Sequence, residues 1–562
     1  MLNAYPLNSA PLNGLSGGAL PETVVLQPGD SFVWSAVIKV AGVDVTDLCQ
    51  GYGVSGNEDG DLAADFVLQL GSAPVDLRAF TGKSVTIDYV VHGDPVIVDR
   101  RFTGQLVEPE FDVLTRLLSC NATTRLEDDF EARELAEIDT FVVGWWSADV
   151  FEETAGRSRW DYTLERMSTR PASLNVDRQG NPRVTSWYPP GVAFEFAPGA
   201  AIYESVDVAL AALSDTVNVY ELEADYRYSR YRQRNQEYSW THPQAPFELW
   251  RQDSTELPDV PMIEDATESA GWFVSLAEYD RLPGDLLDLP NPWKNKNTDL
   301  LLVANWTASK RWAQRGVEQY RIRLEVPEFV AAVGEVIDRA RVVLDTESDG
   351  DSLWEGSGGD EAATDEELAE LPKRDPVRLE AALRCAIEIG RVTILQSQRG
   401  SLVTWQVPLA HALGVDFGQR LRLLEGVTVT GTVASLSETA SFETGEAVLT
   451  IGIAVSQGEA SAVSDVLAIP VQPVFEDDAV DPLDGVLPTQ LGNRSGVPEY
   501  NEELPGFAGN YSIADGDPGG LTKYPRRFAV DTPEIIAQWR DEVAAETAVT
   551  YRIAPPVDQL EI

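Results

Sequence analysis

Through most of this chain apolar and polar side chains alternate with a period of two, the pattern of half-buried strands. From about 31 to 110 the strand candidates are Phe32–Val40, Ala64–Leu70, Ser84–Val91, Val96–Val98 and Arg101–Val107. In the third, Val85, Ile87 and Tyr89 stand against Thr86 and Asp88. Short strands separated by turn signals such as Ala41-Gly42 predict a small antiparallel barrel or sandwich. A second such unit is predicted over 391–458, with candidates Val392–Ile394, Leu402–Val407, Arg420–Leu424, Val427–Ser437 and Glu446–Val455. Residues 161–325 form a β-rich middle domain, whose longest candidate runs from Val217 to Arg232. One face of it carries Tyr220, Leu222, Ala224, Tyr226 and Tyr228; the other carries Glu221, Glu223, Asp225 and Arg227.

Helical spacing marks three places. Val326–Leu344, opened by Pro327, and Pro376–Glu388 flank the acidic loop 345–370 within 326–390, and a third helix follows Asp531-Thr-Pro over about 531–546. Residues 111–160 are a mixed connecting segment with an acidic amphipathic stretch, Leu126–Leu135. Residues 1–30, with Pro-Leu-Asn at 6–8 and again at 11–13, read as an extended arm. Its Tyr5, Leu7 and Leu12 either lie along another subunit or fray. Residues 459–562 read as a loop-rich extension.

Charge narrows the function. The chain has 562 residues, 91 Asp and Glu against 43 Lys and Arg, and a net charge of −48. Such an acidic protein is a poor general ligand for nucleic acid, where affinity comes from cations replacing counterions, or for an anionic membrane surface. Only seven of the basic residues are Lys. Codon bias accounts for that ratio but not for the excess of acids, which fits a halophile or a surface that repels a polyanion. Cys49, Cys120 and Cys385, with three scattered His, form no CxxC pair and no clustered ligand set, so neither a disulfide framework nor a metal or cofactor is expected. The N-terminal stretch lacks a basic region and an apolar run, so no signal peptide is expected, nor any membrane-spanning segment.

Catalytic signatures (GxSxG, HExxH, a P-loop, GxGxxG after a strand) are absent from the sequence, and no enzyme is expected. Asp345-x-Glu-x-Asp-Gly-Asp opens like a calcium loop, but Gly356 stands where the twelfth-position Glu belongs, and a solvated loop is expected. The run from Tyr226 to Trp240 interleaves aromatic rings with Arg, a composition that suits base stacking. In so acidic a chain it reads better as a strand whose Arg pair with neighbouring carboxylates. Tyr226, Tyr228, Tyr231 and Trp240 are candidate subunit or partner contacts.

Three stretches, Val40-Ala-Gly-Val-Asp-Val-Thr-Asp, Gly82-Lys-Ser-Val-Thr-Ile-Asp-Tyr and Arg101-Phe-Thr-Gly-Gln-Leu-Val, resemble the tube-like barrel of the central tail-hub (baseplate-hub) proteins of long-tailed, siphophage-type bacteriophages. Ser168–Gly180 resembles a segment of such proteins. Residues 383–457, including Ile394-Leu-Gln-Ser-Gln-Arg and Trp405-Gln-Val-Pro-Leu, resemble a second tube-type barrel. The resemblance covers about half of the chain and leaves 459–562 unplaced; the scattered Cys argue against the iron–sulfur cluster of some relatives. It implies a mainly β, multidomain fold with a few helices, in which two tube-like antiparallel β-barrels accompany the β-rich middle domain. It further implies a structural virion protein at the tail tip: a homotrimer that continues the tail tube, closes or gates the channel and anchors receptor-binding or fibre proteins during DNA ejection. The implied partners are distal tail and tail tube proteins, the tape measure protein C-terminus, and double-stranded DNA in transit without specific binding. Much of the acidic excess would then line the channel. The rival readings are a carbohydrate-binding or carbohydrate-degrading β protein of a phage or cell surface, and an acidic halophile surface protein.

Overall fold

The computed structural model describes residues 23–28, 32–72, 75–242, 257–281, 300–345, 374–475, 485–491, 500–509 and 526–561, with single positions at 77, 79, 152, 457 and 464 left out. Tyr5, Leu7, Leu12 and most of the acidic loop lie outside the described residues. The protein is mainly β with a few helices and several sheets.

The first strand module comprises β1 (Val33–Val40), β2 (Cys49–Asn57), β3 (Leu62–Gln69), β4 (Ser84–His92), β5 (Ile97–Asp112) and β6 (Leu117–Thr123). Alternation buries Leu62, Ala64, Phe66 and Leu68 of β3 and Val85, Ile87, Tyr89 and Val91 of β4. The fourth and fifth strands expected at 96–107 are one continuous strand. A one-residue register shift between Leu106 and Glu108 lets β5 run on along β6.

Downstream, a small helical cluster, α1 (Leu126–Glu131), α2 (Leu135–Val142) and α3 (Arg159–Met167), packs on the strand Ala172–Val176. The chain then supplies β7 (Val192–Phe196) and β8 (Asp207–Ala209) before a long hairpin, β9 (Val219–Thr241) and β10 (Leu301–Glu325), of 23 and 25 residues. The expected helix over Val326–Leu344 is two elements. The short helix α4 (Pro327–Val333) stops at Gly334, whose φ is +86°, and β11 (Ile337–Asp345) then pairs with β9 in parallel. The apolar positions fit both periods, and the open edge of β9 decides.

The helix α5 (Pro376–Gln398) begins on Asp375, whose carboxylate accepts from Val377 N and Arg378 N, with Pro376 in the first turn. It absorbs Val392–Ile394, expected as a strand, because it is buried on most sides and its apolar run has lost polar punctuation. It crosses the hairpin so closely that a Cβ at Gly390 would sit 2.4 Å from Tyr220 Cδ1. The second strand module follows: β12 (Ser401–Pro408), β13 (Arg420–Leu424), β14 (Thr428–Ser441) and β15 (Ala447–Val455). The helix expected over 531–546 is a single turn, Ala537–Arg540, followed by β16 (Val543–Arg552) on the outer edge of β10.

The two modules share one fifteen-stranded sheet and one hydrophobic core. In β14, Ser435–Ala440 pair with Ala447–Gly452 of β15 on one edge, and Ser435–Ser441 pair with Gly51–Asn57 of β2 on the other. β14 thereby joins the modules in a continuous ladder.

Candidate functional site

Five strands of each module repeat one another, whereas the outermost differ: β1 runs antiparallel to β4 and β7 parallel to β13. β3 pairs with β2 and β6, and β12 pairs with β8 and β15; β5 lies between β4 and β6, and β14 between β13 and β15. The register agrees to the residue. Leu106 stands opposite Ala122 and Val433 opposite Ile453, and one step on both strands carry a bulge, at Val107 and at Ala434. The turns before β4 and β13 place Gly82 and Gly418 at φ +71° and +75°. From there Leu106 N donates to Lys83 O and Val433 N donates to Gln419 O. The sequences Phe102-Thr-Gly-Gln-Leu-Val and Val429-Thr-Gly-Thr-Val-Ala align through this frame. β2 and β8 are therefore counterparts, as are β5 and β14.

Because one ladder crosses both modules, side chains line up in rows from end to end. The first outward row reads Gln406, Thr450, Ser437, Ser55, Ala63, Thr123, Gln105. The next reads Pro408, Val448, Thr439, Gly53, Asp65, Asn121, Glu108. Small and polar residues predominate, and neither row contains Lys or Arg. Asp65 and Glu108 are the carboxylates of the two rows, with Glu110 and Asp112 beyond them on β5. The character of this face is the lack of cations more than the density of acids. At the seam between modules Gly51, Gly53, Asp65, Ser437 and Thr439 line a shallow trough of about 350 Å³.

Beneath this face the seam is held by charge. Arg101 of β5 donates through Nε to Glu438 Oε2 of β14 at 2.7 Å and through Nη1 to Asp99 Oδ2 at 2.6 Å. Arg178 Nη1 donates to the same Asp99 oxygen at 2.9 Å, and both Arg reach Leu413 O. Arg101 and Glu438 are 2% and 4% exposed. Burial pushes the Glu438 carboxyl up, against the pull of Arg101 and Arg178. The counterpart of Glu438 in the first module is the apolar Phe111, so this clamp belongs to the junction and not to the repeat.

The structure buries Tyr226, Tyr228 and Trp240 within the chain. Tyr226 and Tyr228 lie under α5 with Tyr320 and Leu324, their rings stacked at 5.2 Å. Tyr228 and Tyr320 donate to Glu318 at 2.9 and 2.6 Å, and Arg374 and Gln472 complete the shell of this fully buried carboxylate. Trp240 is buried against Phe507 and Phe528. Tyr231 pairs with Ala313 in the hairpin ladder. The Arg on the opposite face of the hairpin sheet meet carboxylates: Arg341 with Asp225 at 2.8 Å, Arg339 with Glu221 at 2.9 Å, Arg323 with Glu335 at 2.6 Å. The thiols of Cys49, Cys120 and Cys385 are pushed up to about 12 by burial, which leaves them protonated and unreactive at neutral pH. Among the described residues no group of three potential metal ligands converges, and no helix is long and apolar enough to cross a membrane.

Arg101, Glu438 and the whole strand β8 escape a reading of the sequence. One signal was available: Glu438 occupies the inward parity of its strand, between Leu436 and Ala440.

No protein-family model and no curated protein sequence matches the chain. Among solved structures, the chain is similar to the 43 kDa tail protein of prophage MuSo2 from Shewanella oneidensis, at 9% identity over 75% of this chain and 98% of that one, with a TM-score of 0.37. It is also similar to a tail protein from Neisseria meningitidis MC58, at 10% identity over 75% and 96% of the two chains, with a TM-score of 0.36. A third is the E. coli c3393 protein, a component of the type VI secretion system described as structurally similar to the bacteriophage T4 tail proteins gp27 and gp5. There the identity is 7% over 88% and 94%, with a TM-score of 0.28.

Proposed function

We propose that this chain is a structural protein of a phage-type tail, a tail-tip hub in which three copies form a ring around a conduit for double-stranded DNA. The observation that carries this reading is the register-matched pair of modules joined edge to edge by β14 and β2. A threefold assembly of such chains presents six similar sheet units, and so can continue a sixfold tube. The cation-free rows are the surface that would face the conduit. DNA carries one charge per ~1.7 Å of axis, and Lys or Arg on the wall would retain it by releasing counterions. A wall of Ser, Thr, Asn, Gly and a few carboxylates offers no such site.

The expected location is the tail tip of the virion, with distal tail, tail tube, tape measure and receptor-binding proteins as neighbours. Mass spectrometry and electron microscopy of purified tails test this: a threefold ring at the tip is expected, and absence of the chain from virions overturns it. The face is tested separately by Ser55→Lys with Ser437→Lys. The double variant should retain duplex DNA at low salt, with retention lost as salt rises, while the unmodified protein retains none. Equal retention by both proteins would remove the conduit role from this face.

A further inference from the structure

Among the described residues the repeat leaves one junction filled and its counterpart empty. In the second module, the outer edge of β14 beyond the bulge is taken by β2 of the same chain, with Ser437 opposite Ser55 and Thr439 opposite Gly53. In the first module, the same stretch of β5, Glu108–Asp112, pairs with β6 on one edge, and among the described residues no strand pairs with the other. The strand that would fill it in the repeat is the counterpart of β2. That strand is β8, which pairs with β12 on one edge and, among the described residues, with nothing on the other. The two vacant edges are the two halves of the junction that already exists inside the chain.

We propose that the free edge of β5 pairs in antiparallel register with β8 of a second copy of this chain. This deepens the ring proposed above and rests on it. Transferring the internal register sets Glu110 opposite Ala209 of the second copy, as Ser437 stands opposite Ser55. The positions that this register brings into line, Ser119 and Glu110 of one copy with Ala209, Leu402 and Ala454 of the next, include no Lys or Arg. Apolar side chains flank both edges: Val113 and Leu114 beyond β5 are 72% and 93% exposed, and Tyr203 and Leu210 around β8 are 86% and 62% exposed. Open strand edges template further pairing, and exposed apolar side chains beside them favour a dry contact. Two features weaken the junction without blocking it. Pro109 removes at most one main-chain donor, and Asp112 meets Asp207 at the frayed end of the ladder.

Cysteine pairs decide the matter. Opposed residues of an antiparallel ladder lie about 4.5–5.5 Å apart at Cα, within disulfide range. Glu110 and Ala209 are both exposed, so the substitutions leave the fold intact, which an unchanged melting temperature verifies. Under mild oxidation the Glu110→Cys/Ala209→Cys chain should give copy-to-copy disulfides on a non-reducing gel. Neither single variant should, and neither should Glu110→Cys/Leu210→Cys, where a one-residue slip turns the second thiol to the opposite face. Linking in the control at the same yield, or no linking in the matched pair, overturns the edge pairing. Light scattering on the same samples separates the two ideas. A threefold oligomer without the link removes only the edge assignment, and a monomer at every concentration without the link removes the ring as well.

Discussion

The two strand modules share a ladder register but not a boundary. β14 is flanked on both edges, by β13 and then β2 on one and by Leu560–Glu561 and then β15 on the other, whereas among the described residues β5 past its bulge pairs with one strand. The same contrast appears in side chains. Glu438 is buried in an ion pair where Phe111 stands in the first module, and Arg420 is tied to Asp558 where Ser84 is exposed. The repeat lesson is physical. Backbone geometry is preserved wherever strands must pair in register, and chemistry diverges where the second copy of the motif had to be fixed to the first.

If the seam is what distinguishes the second module, breaking its clamp should have the largest effect. Arg101→Met removes the cation and leaves Glu438 buried, a change that costs about 3–5 kcal/mol when one member of a buried pair is lost. The loss should depend on pH with a definite sign. The folded Glu438 titrates above its ordinary 4.5, so the folded state holds the extra proton. The associated stability is present below 4.5 and is lost as pH rises through the folded value. Arg101→Met should therefore be less destabilised near pH 4.5 than at neutral pH in urea denaturation. The double variant Arg101→Met/Glu438→Leu should recover most of the loss, since a packed apolar pair replaces a buried ion pair at little cost. A double variant no better than the single would mean that the clamp is not the source of the seam's stability.

How much of this contrast was legible beforehand follows from what each element depends on. Eight of the module strands show in the sequence because one face of each is buried, and Val85, Ile87 and Tyr89 keep the period visible; β2, β6, β7 and β8 do not show there. Three misreadings share a cause: a tertiary partner overrode a local pattern. β11 exists because β9 offers an edge, β16 because β10 does, and Val392–Ile394 stayed helical because α5 is buried around most of its circumference. Tyr226 and Tyr228 were visible as one face of a strand, but period-two alternation does not reveal that the cover is α5 and not another subunit. β8 spans three residues and carries no signal of its own; only its pairing with β12 and its likeness in place to β2 give it meaning. The seam itself joins positions more than 370 residues apart, a register that no local pattern encodes.

Asp558 sharpens the same comparison at a smaller scale. Its side chain is 2% exposed, bound to the Arg420 guanidinium and accepting from Ser456 N at 2.9 Å, so it straps the C-terminal segment to the second module alone. Burial raises its pKa from 3.8 to about 6, against the opposing pull of Arg420. The stability linked to this proton is present below 3.8 and lost as pH rises through about 6. At about 1.4 kcal/mol per unit the swing is about 2–3 kcal/mol. Asp558→Asn should flatten that part of the stability profile, so that the variant compares worst with the unmodified protein near pH 4 and better at pH 7. A profile parallel to that of the unmodified protein would assign the slope to another group.

The smallest expected effect is the most direct test of filled against empty. At Gly51 in the seam, a Cβ would sit 2.3 Å from Ala440 O, a backbone atom that cannot rotate away. Gly51→Ala should force β2 and β14 apart locally and cost about 1–2 kcal/mol, in the lower part of the range for overpacking. Ala209, on the counterpart of β2, faces solvent on an edge with no described strand beside it, and Ala209→Val should change the stability of the isolated chain by less than about 0.5 kcal/mol. The asymmetry between these two substitutions belongs to the single chain. If copies pair through β8, Ala209→Val, pointing outward from the ladder, should remain tolerated in the assembly. Equal effects of Gly51→Ala and Ala209→Val on the isolated chain would show that the seam is no tighter than the open edge. The distinction between an occupied and a vacant junction would then have no energetic content.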